Sequence, residues 1–154
     1  MQKTLMTLGA TLLMGASFAF APVAAAKDIH TRFTADELME ILKAEGYSAV
    51  EDYGDGDVKI KINGKNYVLF NQPDGDLQGY YAMTGYDLST DDMNEWNRTK
   101  RLSRAYLDND DDPVIEADLL ANGGLSHENV SEFFEVFTGS VSQFRKFVAE
   151  HDDD

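Results

Sequence analysis

The sequence predicts an α+β domain: an antiparallel sheet flanked by helices, in the order helix, several strands, helix, two strands, helix. Three observations predict it. Apolar residues recur at spacings of three and four in a first segment opening at Thr34 and in a last one opening at Ser126. Between them the period changes to two, in short stretches that follow one another closely. The turns joining those stretches carry Gly, Asn, Asp and Pro, which favours a meander of neighbouring strands with helices gathered on one sheet face.

Each element has its own signal. Thr34-Ala35-Asp36-Glu37 forms a capping box, and Leu38, Ile41 and Leu42 follow at helical spacing until Gly46, which predicts a helix over about 35–45. Alternation starts at Tyr47–Val50 and returns in Val58-Lys59-Ile60-Lys61-Ile62, with three β-branched residues on one face and two lysines on the other. Tyr53-Gly54-Asp55-Gly56 supplies the turn between these strands. Asn63-Gly64 then reads as a tight hairpin turn, since both positions tolerate positive φ, and Lys65 to Asn71 is the return strand. After the turn at Gln72–Asp76, Leu77 to Tyr86 reads as a fourth strand rich in Tyr.

Ser89-Thr90-Asp91-Asp92 places hydroxyl caps and acids at the start of a short second helix, whose cations run on to Arg101 in accord with the helix dipole. Arg104–Asp108 and Val114–Ala121 alternate again around an acidic turn, a second hairpin. Ser126-His127-Glu128-Asn129 opens the last helix, and its stripe of Val130, Phe133, Phe134, Phe137, Val141, Phe144 and Val148 must cover something.

Ahead of this domain, residues 1–26 carry Lys3, an apolar stretch from Leu5 to Phe20, Pro22 and then Ala24-Ala25-Ala26, the layout of a secretory signal peptide cleaved after Ala26. The apolar stretch is shorter than a membrane span requires. The chain therefore divides into a signal peptide (1–26), a lead (27–33), the α+β domain (34–149) and an acidic tail (150–154). The expected location is the bacterial periplasm or outside the cell, with no membrane anchor after cleavage. The 154-residue chain has 13 Lys+Arg against 28 Asp+Glu and a net charge of −15. Removing 26 residues that hold one lysine and no acid leaves 128 residues at −16.

A field of that sign repels phosphate backbones, so nucleic acid is not an expected partner. The chain has no cysteine, which excludes thiol nucleophiles, disulfides and thiolate metal sites. His30, His127 and His151 are scattered, without the paired spacing of a zinc site. Neither a G-x-S-x-G elbow nor a phosphate-binding or dinucleotide-binding glycine motif occurs. No catalytic residue, cofactor or metal is expected, and the chain reads as a non-enzyme.

What remains points to protein contact. Arg98, Lys100, Arg101 and Arg104 concentrate four of the twelve mature cations in seven positions, suited to an anionic segment or simply to capping the second helix. Alternation sends Tyr80 and Tyr81 to opposite sheet faces, so one of them is offered to a partner; Trp96 is either a contact or a core residue. The candidate partner-binding set is Tyr80, Tyr81, Trp96, Asn97, Arg98, Arg101 and Arg104. A competing reading takes the acidic turns at 52–57, 74–76 and 108–112 as a divalent-cation or small-ligand site. Neither Asp74-x-Asp76 nor Asp108–Asp112 completes a calcium loop, because Gly85 and Leu119 stand where a closing Glu is needed.

The run Asn94-Glu95-Trp96-Asn97-Arg98-Thr99-Lys100-Arg101, continued by Arg104-Ala105-Tyr106-Leu107-Asp108 and Asp112-Pro113-Val114, resembles the YbjN-domain family of bacteria. The resemblance spans about 33–148, and Trp96, Asn97, Arg101 and Arg104 belong to its motif. It implies a fold similar to type III secretion chaperones, frequent dimerisation, and a regulatory role without a catalytic site. The export signal departs from a cytoplasmic regulator. The expected function is therefore an exported, chaperone-like module that binds a protein partner or a second copy of itself through a sheet edge or a helix–sheet groove.

Overall fold

The computed structural model of the protein describes residues 28–152, so the proposed signal segment 1–26 lies outside the described residues. In chain order the elements are α1 (Ala35–Ala44), β1 (Val50–Gly54), β2 (Asp57–Ile62), β3 (Lys65–Asn71), β4 (Leu77–Ala82), α2 (Thr90–Thr99), β5 (Arg104–Leu107), β6 (Pro113–Leu119) and α3 (His127–His151). The strands form one antiparallel sheet in the order β1-β2-β3-β4-β6-β5. The α+β layout expected from the sequence is the one observed.

Local chemistry starts and stops the elements. Each helix opens on a capping box, Thr34 with Glu37, Ser89 with Asp92 and Ser126 with Asn129, which satisfies backbone N–H groups that the first turn leaves open. The β1–β2 turn uses Asp55 and Gly56 at φ 55° and 94°, and the β2–β3 turn uses Asn63 and Gly64 at 49° and 79°; such turns match the twist of the paired strands.

Several boundaries differ from the sequence expectation. Tyr47 belongs to the end of α1: its N–H donates to the Leu42 carbonyl and its ring meets Phe134 edge-on, so the Ala49 carbonyl makes the first bond to β2 and the strand starts only at Val50. The fourth strand stops at Ala82 rather than Tyr86, where its partner β6 begins at Pro113. α2 ends at Thr99 rather than Arg101, because Lys100 is already extended and Leu102 takes a φ of 66° that turns the chain into β5. β6 ends two residues early, since the Ala121 N–H is taken by the Asp76 side chain.

All three helices cover one sheet face. Val58, Ile60, Leu69, Leu77, Tyr81 and Ile115 meet the α3 stripe there, and Trp96 of α2 packs edge-on against Phe144 and Phe147. Gly79 on β4 faces the Phe137 ring so closely that an added Cβ would lie 2.7–2.9 Å from it. Among the described residues no helix lies on the opposite face. Across it runs a row of paired positions, Glu51, Lys59, Val68, Tyr80, Glu116 and Arg104, one from each strand.

The two ends of the described segment are docked more firmly than their polar character suggests. In the lead, His30 exchanges two backbone hydrogen bonds of 2.8 Å with Leu125, and Phe33 is buried. At the other end, the tail expected from 150 is helical to His151, whose ring stacks on Phe147, and the Asp152 carboxylate accepts from the Asp87 N–H. Among the described residues no helix is long and apolar enough to cross a membrane.

Candidate functional site

A sheet used for docking needs unpaired backbone, so its edges decide where a partner strand fits. β1 is a short edge bent by an irregularity between Asp52 and Gly54, with Glu51, Asp52 and Tyr53 exposed. β5, the other edge, is closed by α2. The Asn97 amide donates to the Ala105 carbonyl at 2.9 Å, and the Ala105 N–H donates to the Asn97 side-chain oxygen at 2.8 Å. One side chain thus stands in for a strand rung.

A third edge was not visible in the sequence. The Met83 N–H donates to the Pro113 carbonyl, so odd-numbered residues of β6 turn their main chain towards β4 and even-numbered ones towards β5. β5 pairs with β6 only as far as Arg104 opposite Glu116, while β6 continues to Leu119. The N–H and C=O of Asp118, next in the even series, face space beyond the end of β5.

That space is a groove of about 630 Å³ between the β6 edge and α3. Leu102, Leu119, Leu120, Phe133, Val136 and Phe137 supply its apolar walls. Leu102, Leu120 and Val136 are three of the six large apolar side chains exposed among the described residues, at 67%, 59% and 49%, so exposed apolar surface is concentrated here. Sequence reasoning missed all three. Val136 falls off the α3 core stripe, which was the available signal; Leu120 falls inside the expected strand Val114–Ala121 and lies past its end only in the structure.

The residues singled out in the sequence divide among three places. Trp96 is 1% exposed and belongs to the core, with its indole N–H donating to Ser103 at 3.3 Å; Tyr81 is buried on the helix side. Asn97 is spent on the β5 edge. Tyr80 lies on the open face, edge-on to Phe70 at 5.6 Å. Only Arg98 sits in the last turn of α2; Lys100 follows it with its ammonium 5.5 Å from the Trp96 ring centre, and Arg101 is exposed beyond.

Arg104 joins a built cluster. Its guanidinium donates twice to one oxygen of Glu116, at 2.9 and 2.6 Å, and the Tyr106 hydroxyl donates to the other at 2.7 Å. Glu116 is 6% exposed, a buried carboxylate made tolerable by these three donors. Hydrogen bonding to Glu116, and then its charge, hold the Arg104 pKa above the ordinary arginine value. Burial, followed by the bond to Glu116, pushes the Tyr106 hydroxyl up as well.

The acidic turns are not brought together. Register places 52–57 and 74–76 at one end of the sheet and 108–112 at the other. Their carboxylates mostly build the turns: Asp52 accepts from Gly54, Asp57 from Asn71, Asp74 from Asp76, and Asp108 from both Asp110 and Asp112.

Residues 34–150 match the YbjN family, described as "Putative bacterial sensory transduction regulator". The chain belongs to the YbjN family. No curated protein matches it. Among solved structures, this YbjN chain is similar to the Yersinia pestis type III secretion chaperone SycH, crystallised in complex with a stable fragment of YscM2. The identity is 16%, the TM-score 0.53, and the alignment covers 71% of this chain and 97% of that one. The YbjN chain thus has a type III secretion chaperone-like fold, and its family and fold are of non-enzymatic kinds.

Proposed function

We propose that this YbjN protein is an exported, non-catalytic, chaperone-like module that holds a segment of another polypeptide. The observation that carries this reading is the coincidence of an unpaired stretch of β6 with the apolar groove beside it: backbone groups give an incoming strand affinity, and pockets give it specificity. The structural neighbour was crystallised with a protein fragment, which supports the same kind of use for this fold. Export to the periplasm rests on the layout of residues 1–26. Strand pairing of two copies through β5 is not part of the proposal, because Asn97 occupies that edge.

The test is site-specific photocrosslinking in cells, with the reactive group at Val136 in the groove or at Lys43 on α1. A discrete polypeptide adduct from Val136 and none from Lys43 is expected. Equal labelling from both sites, or none from Val136, would refute the groove as the docking site. Fractionation should recover the chain outside the cytoplasm, shortened by residues 1–26; a full-length cytoplasmic chain would refute export.

A further inference from the structure

Resting on that reading, we propose that the groove takes an extended segment of another protein in which one Lys or Arg stands next to an apolar residue. A strand continuing the line of β5 would pair antiparallel with Asp118. Ser103, bonded to Arg104, already stands opposite Ala117, so the segment begins opposite Asp118. The residue opposite Asp118 shares the open face with it, whereas the neighbour opposite Leu119 points with it to the helix layer, enters the groove against Phe133 and Val136 and must be apolar.

Charge decides the position opposite Asp118. Four charged residues line the groove, and Arg104 and Glu116 neutralise one another. Among the described residues Asp118 and Glu132 form no ion pair, and the Arg104 charge that Asp118 feels is already bound to Glu116. Asp118 is exposed, and Gln78 donates to only one of its oxygens, at 3.0 Å. A directly opposite position in an antiparallel pair lies within about 5.5 Å at Cβ, so a Lys or Arg there reaches the other oxygen. The surrounding net charge of −15 attracts a cationic segment and repels a second copy of the chain.

The mature chain would be titrated against the labelled peptide Ser-Thr-Val-Lys-Val-Lys-Val-Thr-Ser and followed by fluorescence anisotropy. Replacing its lysines by glutamates should weaken binding by about tenfold or more. Val136→Asp and Leu120→Asp change exposed positions, so they should fold and weaken the lysine peptide, whereas Asp118→Lys should reverse the preference towards the glutamate peptide. Exchange of the Asp118 amide should slow on binding. Equal affinity for the two charge forms, indifference to Asp118→Lys, or a dimer that Val136→Asp dissociates would overturn the proposal. If the peptides fail while the Val136 crosslink persists, the charge rule falls and the docking function stands. If the crosslink is absent too, both fall.

Discussion

Replacing Asn97 with Ala removes both hydrogen bonds that close the β5 edge. Ala105 is 4% exposed, so its N–H and C=O lose their partners where water enters poorly. A net contribution of about 1 kcal/mol per bond, raised by the penalty of leaving a buried group unsatisfied, gives an expected loss of about 2–3 kcal/mol. That is a large share of the roughly 5–15 kcal/mol by which such domains are stable. Asn97→Asp keeps the acceptor for the Ala105 N–H but sets a second oxygen against the Ala105 carbonyl, so it should recover little. Urea unfolding followed by circular dichroism measures the loss. Sedimentation measures the second consequence, self-association through the opened edge. A loss below about 0.5 kcal/mol with unchanged sedimentation would show that α2, not the Asn97 amide, closes the edge.

Other perturbations test the packing and the charges. Gly79→Ala drives a Cβ to 2.7–2.9 Å from the buried Phe137 ring and should cost about 1–3 kcal/mol in thermal unfolding, partly recovered by adding Phe137→Leu; an unchanged midpoint contradicts the close approach. Arg104→Met leaves the buried Glu116 carboxylate with Tyr106 alone and should cost about 2–3 kcal/mol, with Glu116→Gln in the same chain restoring part of it. If Arg104→Met is neutral, water already serves Glu116.

The capping boxes predict an acid limb. Backbone and then side-chain bonds from Thr34 lower the Glu37 pKa, and side-chain and then backbone bonds from Ser89 lower that of Asp92. A carboxylate depressed on folding stabilises fully above its unfolded value, 4.5 for Glu37 and 3.8 for Asp92, and loses that contribution as pH falls through the folded value. Urea midpoints should therefore fall on acidification, and less steeply in Glu37→Gln combined with Asp92→Asn. Identical slopes would count against the boxes.

Periodicity and turn chemistry carried most of the fold into view. Thr34 with Glu37, Asn63-Gly64 and the Phe-rich stripe of α3 are local signals, with spacings set by helix and strand geometry whatever lies around them. Boundaries failed where a distant partner set them: β4 stops where β6 begins, and β6 stops where Asp76 captures the Ala121 N–H. Asn97 and Trp96 were conspicuous as residue types, but their roles depend on what α2 meets. One closes an edge and the other fills the core.

By itself the sequence determined the α+β class, the turns, the negative charge and the lack of thiol chemistry, because these depend on composition and on neighbours a few residues apart. Tertiary structure alone decided that Asp118 faces an empty rung and that Leu102, Leu120 and Val136 gather beside it. These residues lie far apart along the chain. Only strand register and the path of α3 across the sheet bring them to one groove.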